Sequence, residues 1–123
     1  MKNKILLVDD KGEFRTILKI ILQSKFEVTT AANGLEALAL LQRGYIPDLI
    51  ISDLMMPKID GITLVQQVNS SDIFKHIPIL ILSSINEGKN KVELFRIGVA
   101  DYLEKPFNPD ELKVRINRLL NVS

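Results

Sequence analysis

Three stretches of the chain are short and uninterruptedly apolar: Ile5-Leu6-Leu7-Val8, Leu49-Ile50-Ile51 and Ile79-Leu80-Ile81-Leu82. Runs of this length rich in β-branched residues suit strands buried on both faces. Between them the period changes. Phe14, Ile17, Leu18, Ile21 and Leu22 recur at i, i+3, i+4, i+7 and i+8, which predicts an amphipathic helix. Phe26 to Ala31, with Val28, Thr29 and Thr30, reads as a strand, and the third strand runs from Leu49 to Ser52. A second helix turns Leu35, Leu38 and Leu41 inward, and a third, ending near Asn69, turns in Ile62, Val65 and Val68. A fourth helix is expected from roughly Glu87 to Ile97, a fifth strand over Tyr102-Leu103-Glu104, and a last helix burying Leu112, Ile116, Leu119 and Leu120.

The boundaries carry their own signals. Asn33 fits an N-cap, with Glu36 three residues on in the capping-box position. Gly44 and Gly98 read as helix stops, and Pro78 opens the fourth strand. Asn108-Pro109-Asp110-Glu111 combines an N-cap, proline at the first helical position and glutamate at the third. Strands and helices thus alternate five times, which implies an α/β fold with a parallel sheet, right-handed crossovers and helices on both faces. Periodicity does not separate the two commonest strand orders; with five strands, 2-1-3-4-5 is the expectation.

Composition narrows the function. The 123 residues suit one domain, spanning 1–123, with 46% apolar and 25% charged residues. A net charge of +1 gives no electrostatic case for nucleic-acid binding, and the absence of cysteine removes disulfides, thiolate catalysis and cysteine-bound metals. The longest apolar runs are about five residues, too short to cross a membrane, and the four apolar residues after Met-Lys-Asn-Lys are too few for a signal-peptide core. The expectation is a cytoplasmic protein. His76, the one histidine, lies two residues before Pro78 and reads as a surface residue.

The chemistry collects at the strand ends. Asp9 and Asp10 follow the first strand, Asp53 the third, Ser83 the fourth and Lys105 the fifth. Singly, the Asp pair is read equally well as a solvated turn, Asp53 and Ser83 as caps, and Lys105 as a surface lysine. In a parallel sheet, however, these ends share one edge, where open α/β folds place their ligands. Three clustered carboxylates repel unless a cation neutralises them. A hard divalent ion with oxygen ligands resolves the conflict, and Mg2+, often held by one or two carboxylates, is the natural choice. With metal and ammonium shielding it, one carboxylate can attack a phosphoryl group while the Ser83 hydroxyl bonds a phosphoryl oxygen.

At this point a resemblance covers nearly the whole chain. Ile5-Leu-Leu-Val-Asp-Asp10, Asp48-Leu-Ile-Ile-Ser-Asp-Leu-Met-Met-Pro57 with Asp60-Gly61, Pro78-Ile-Leu-Ile-Leu-Ser-Ser84 and Asp101-Tyr-Leu-Glu-Lys-Pro-Phe107 resemble the receiver domain of response regulators, the phosphoacceptor module of two-component signalling. The resemblance implies a flavodoxin-like fold, with Asp53 as phosphoacceptor and no enzymatic activity beyond its own phosphorylation and dephosphorylation. It implies that Asp10 binds Mg2+ directly, Asp9 mainly through water, and the Met55 backbone carbonyl as a further ligand. Lys105 would contact the phosphoryl group, and the Lys105-Pro106 bond would be cis. It also implies a switch, in which phosphorylation draws Ser83 toward Asp53, Tyr102 swings inward, and the fourth helix, fifth strand and fifth helix present an altered surface. The implied partners are a sensor histidine kinase or phosphotransfer protein and a downstream effector, with a monomer or a phosphorylation-linked dimer as the working form.

Finer features adjust this picture. Ser84 keeps the position after the hydroxyl residue small, and Lys11 brings a positive charge that modestly weakens metal binding. In the family, the positions of Met55 and Ile85 flank the phosphoryl group; apolar side chains there cannot align an attacking water, so the phosphoryl group is expected to outlive that of a Met55→Asn, Ile85→Glu variant. A haloacid-dehalogenase-type phosphohydrolase would place a second Asp where Met55 stands. A flavodoxin-like cofactor binder needs a phosphate-cradling loop after the first strand, where Asp9-Asp10-Lys11 would repel phosphate. The output is open: a stand-alone, chemotaxis-type receiver, or part of a larger regulator with a DNA-binding or enzymatic domain. The closing Glu111–Leu120 run resembles the last receiver helix of winged-helix regulators, where the counterpart of Arg115 pairs across dimers.

Overall fold

The computed structural model describes residues 2–84 and 91–122. Ten elements alternate along the chain: β1 (Lys4–Val8), α1 (Gly12–Leu22), β2 (Glu27–Ala31), α2 (Gly34–Gln42), β3 (Leu49–Asp53), α3 (Gly61–Asn69), β4 (Ile79–Ser84), α4 (Lys91–Arg96), β5 (Asp101–Lys105) and α5 (Pro109–Leu120). The strands form one parallel sheet of order β2-β1-β3-β4-β5, the order expected from the alternation. The expected start of the fourth helix, near Glu87, lies outside the described residues, as does Ile85.

Strand alternation divides the core in two. Leu6, Val8, Ile50, Ile79 and Ile81 face one side and meet Ala37 and Leu41 of α2, Leu64, Val65 and Val68 of α3, and Leu94 of α4. Ile5, Leu7, Leu49, Ile51, Leu80 and Leu82 face the other and meet Leu18 and Leu22 of α1 with Leu112 and Ile116 of α5. β3 is buried at every residue, as its apolar run requires.

The helix faces needed correction in three places. Ile17 is 54% exposed, so α1 packs through Leu18 and Leu22 with Phe14 and Ile21 alongside. Leu35 is 49% exposed and Leu38 only partly buried; α2 turns in Gly34, Ala37 and Leu41 instead. Ile62 is exposed on α3, and Leu64 takes its place beside Val65 and Val68. On α5, Leu119 and Leu120 are partly buried at the rim, while Leu112 and Ile116 are fully covered.

The caps follow the sequence closely. Asn33 accepts from the Glu36 backbone N–H (2.9 Å), but Glu36 reaches back one residue further than a capping box, to the Ala32 N–H (3.2 Å). Asn108 caps α5 through the Asp110 N–H (2.7 Å), and Asp60 caps α3 through the Thr63 N–H (2.8 Å). Gly44 adopts φ +99° just beyond α2, a left-handed position that ends a helix at little cost only for glycine.

Candidate functional site

The strand order reverses between β1 and β3, and this positions the site. Val8 pairs with Ser52, so Asp9 and Asp53 are the next residues of two adjacent parallel strands. Asp53 is itself the last residue of β3, in register with Leu82, and the Leu54 N–H following it donates to the Leu82 carbonyl at 3.0 Å. Asp9 is held similarly, its N–H donating to the Ala31 carbonyl of β2 (3.1 Å). Both carboxylates are therefore fixed by backbone pairing. Both are also buried, Asp9 at 1% and Asp53 at 2% exposure, whereas Asp10 is exposed.

Burying ionised carboxylates requires donors and counter-charges. Asp9 Oδ1 accepts from the Lys11 N–H at 2.8 Å, and Asp53 Oδ1 from the Leu54 N–H at 3.0 Å. Lys105, at the end of β5, places its Nζ 3.5 Å from Asp9 Oδ2 and 3.5 Å from Asp53 Oδ1. That ammonium also sits 4.1 Å from the Phe14 ring centroid, an additional constraint on its position. Lys11 Nζ approaches Asp53 Oδ2 at 3.8 Å from the solvent side. The bond between Lys105 and Pro106 is cis.

Asp9, Asp10 and Asp53 each offer an oxygen, and these oxygens lie within 4.8 Å of one another. An all-carboxylate set of this compactness suits a hard divalent cation, and the donor chemistry excludes a preference for soft metals. The residues present therefore fit Mg2+.

Ser83 is fully buried in β4, where its Oγ donates to the Ser84 carbonyl (3.1 Å) and lies 2.8 Å from the Tyr102 hydroxyl of β5. A serine hydroxyl has one proton, so the tyrosine donates to Ser83 when Ser83 donates to Ser84. Tyr102 is thus already turned inward, 6% exposed, with Lys91 Nζ over its ring at 5.0 Å, whereas the resemblance implied that it swings inward on phosphorylation. Lys91 also pairs with Glu104 at 3.2 Å, which ties the start of α4 to β5. The Met55 side chain is turned outward at 53% exposure, and His76 is exposed, as its loop position suggests.

Four contributing residues were not read from the sequence. Arg15 donates to the Asp9 main-chain carbonyl at 2.6 Å, bracing the β1–α1 loop. Phe14, read only as helix core, supports Lys105. Lys91 lies over the Tyr102 ring and pairs with Glu104. The Lys11–Arg15 spacing of four residues, one helical turn, was the available signal for Arg15, since the Arg15 N–H donates to the Lys11 carbonyl at 3.0 Å.

Glycine permits the loop after β3 to close down on the site. A Cβ on Gly61 would lie 2.6 Å from the Asp53 carbonyl oxygen and 3.0 Å from Leu54 Cα; one on Gly34 would lie 2.7 Å from the Ile59 carbonyl oxygen. The Gly61 N–H donates to the Leu54 carbonyl at 2.8 Å, fastening the loop across the edge of β3.

Comparison with known proteins agrees with this geometry. The chemotaxis response regulator CheY4 of Vibrio cholerae superposes with a TM-score of 0.88 at 38% identity, over 98% of this chain and 100% of that one. The transcriptional regulatory protein SrrA of Staphylococcus aureus is 39% identical over 122 residues, covering 98% of this chain and 48% of the relative. The sensor histidine kinase TmoS of Ectopseudomonas mendocina is 39% identical over 119 residues, 97% of this chain but 12% of the relative. The chain spans about half the length, or less, of the first curated relatives it matches. The family profile described as the response regulator receiver domain matches residues 5–117. With five parallel strands in the flavodoxin-like order and an acidic cluster at their C-terminal edge, the chain belongs to the response regulator receiver domain family.

Proposed function

We propose that Asp53 accepts a phosphoryl group from a phosphohistidine of a sensor kinase or phosphotransfer protein. A carboxylate oxygen attacks phosphorus in line, the P–N bond breaks, and the departing imidazole takes up a proton from solvent, leaving an acyl phosphate on Asp53. One observation carries the reading: the buried Asp53 carboxylate shares the Lys105 ammonium with Asp9, at 3.5 Å to each. That arrangement sets a counter-charge beside the nucleophile, which is fixed by the Leu54 N–H, and leaves a cation beside the oxygens where charge develops.

Asp9, Asp10 and Asp53, with the Met55 main-chain carbonyl, would hold Mg2+, which when bound neutralises charge on the phosphoryl oxygens. Lys105 follows the transferred group. Ser83 engages a phosphoryl oxygen by releasing the Ser84 carbonyl, and because its Oγ is shared with Tyr102, that exchange alters what holds the tyrosine inward. Tyr102 passes the change to Lys91 and Glu104, and so to the α4-β5-α5 surface. The reader of that surface is a downstream effector or an attached output domain, and the only chemistry assigned to this chain is its own phosphorylation and dephosphorylation, in the cytoplasm. No helix among the described residues is long and apolar enough to cross a membrane.

Incubation with Mg2+ and acetyl phosphate tests the assignment by intact-mass spectrometry. One acid-stable, base-labile phosphoryl group is expected on the parent chain and none on Asp53→Asn. Undiminished labelling of Asp53→Asn, or continuous turnover of donor without a phosphoprotein, would overturn it.

A further inference from the structure

The Asp53 carboxylate is flanked by two lysines of different character. Lys105 is 16% exposed, bridges Asp9 and Asp53, and rests against Phe14, so it is a built-in part of the site. Lys11 has its backbone pinned there, its N–H on Asp9 Oδ1 (2.8 Å) and its carbonyl accepting from the Arg15 N–H (3.0 Å), but its side chain is 61% exposed. Only the far end of that side chain returns to the cluster, stopping 3.8 Å from Asp53 Oδ2. A separation of 3.8 Å is about an ångström longer than a tight charge-assisted hydrogen bond. The attraction is Coulombic, and a flexible four-carbon stem can release it at little cost.

We propose that Lys11 is a tethered counter-ion for the metal-free site, neutralising Asp53 until a divalent cation displaces it. The inference rests on the reading of Asp53 as the phosphoacceptor and adds a regulation of that same site. The local charge supports it: Lys11 adds a second ammonium, beside Lys105, to a group of three carboxylates, and its loss removes one positive charge from the Asp53 side of that group. The metal and the Lys11 ammonium compete for one patch of negative potential, and both cannot approach Asp53 Oδ2 without repelling each other. The tether makes the ammonium's local concentration independent of the solution, so it raises the Mg2+ concentration at which the site fills. Below that concentration, Asp53 is neutralised by an arm that covers it from the solvent side, and small phosphodonors find it guarded.

Lys11 differs from a general surface charge in being local and reversible, and three variants separate these. Mg2+ binding is measured by titration calorimetry, and melting is measured in EDTA, for the parent, Lys11→Gln, Lys11→Arg and Lys19→Gln. Lys19 lies near Lys2 and Phe26, toward the opposite end of the sheet. Lys11→Gln is expected to bind Mg2+ about three- to tenfold more tightly and to melt lower in EDTA, the range set by one partly screened charge pair. Lys11→Arg keeps parental behaviour, and Lys19→Gln changes affinity less than about twofold. The melting difference between Lys11→Gln and parent should vanish in an Asp53→Asn background, which tests the pair without any metal. Equal or weaker Mg2+ binding by Lys11→Gln, equal tightening by Lys19→Gln, or an EDTA melting difference that survives Asp53→Asn would each overturn the proposal. A parent chain that takes no phosphoryl group would instead count against Asp53 as acceptor, with the Lys11–Asp53 pair still judged by the melting cycle.

Discussion

At the scale of single residues, the acidic cluster was legible because it needs only the strand ends. Asp9, Asp10, Asp53, Ser83 and Lys105 each follow or close an apolar run, and a parallel sheet brings such ends together whatever the side-chain details. Arg15 and the seat of Lys105 on Phe14 were not legible, because they depend on how far a side chain reaches back over the first turn of α1. On the proposed reading, Met55 would bear on the lifetime of the phosphoryl group. Its exposed thioether is at best a weak acceptor and would not orient water firmly beside Asp53. Met55→Asn alone should therefore shorten the phosphoprotein half-life several-fold, on the order of the general-base contributions seen elsewhere or less, as followed by loss of phosphoryl mass after donor removal. Tyr45 offers a stability test. Its hydroxyl is the one buried side-chain polar atom among the described residues without a hydrogen-bond partner. Burial raises its pKa above the usual 10.0, Glu27 and Asp48 push the same way, and the nearby Thr29 hydroxyl pulls back without reaching hydrogen-bond geometry. Because the folded state holds the neutral phenol, this group's contribution is intact below pH 10.0 and declines as pH rises from there through the raised folded value. Tyr45→Phe should raise neutral-pH stability by about 1 kcal/mol and flatten that alkaline decline, as read from urea midpoints at several pH values.

At the scale of elements, the period of each helix was correct and its phase sometimes was not. α2 reads Gly-Leu-Glu-Ala-Leu-Ala-Leu-Leu-Gln, apolar almost all round, so spacing alone admits more than one inward face. The face is decided by close approach: Gly34 lies against Ile59, which rotates Leu35 out and Ala37 and Leu41 in. α3 behaves likewise, since Gly61 against Asp53 and Leu54 sends Ile62 outward and Leu64 inward. Glycine contacts of this kind leave no trace in a hydrophobic period. They carry a prediction. Gly61→Ala sets a methyl against backbone atoms that cannot move without disturbing Asp53, so it should cost about 1–3 kcal/mol in urea unfolding. The helix-propensity gain of alanine, at most about 1 kcal/mol, offsets only part of that. Unchanged midpoints would show that the β3–α3 loop is looser than its contacts imply.

For the whole molecule, alternation of five strands and five helices was enough to state the fold class and its preferred order, because parallel strands demand crossovers and crossovers demand covering helices. Alternation could not reveal how the core is shared. The sheet separates two packing problems among the described residues, α2, α3 and α4 on one side and α1 with α5 on the other. The proposed switch route from Ser83 through Tyr102 to Lys91 lies with the first of these, since Tyr102 packs in that half.

The pairing of β3 on both edges gives Asp53 a mechanical role. It is the last rung of the central strand, clamped by register with β4 and by the Leu54–Leu82 hydrogen bond just beyond it. A load applied to its side chain has nowhere to go through its own backbone. On the proposed reading, Asp53 would act as an anvil: with the strand held, deformation on phosphorylation would fall on the parts that can yield, the loops and the serine–tyrosine pair around it. A receiver built this way would keep its point of reception stationary while its outer surface moved.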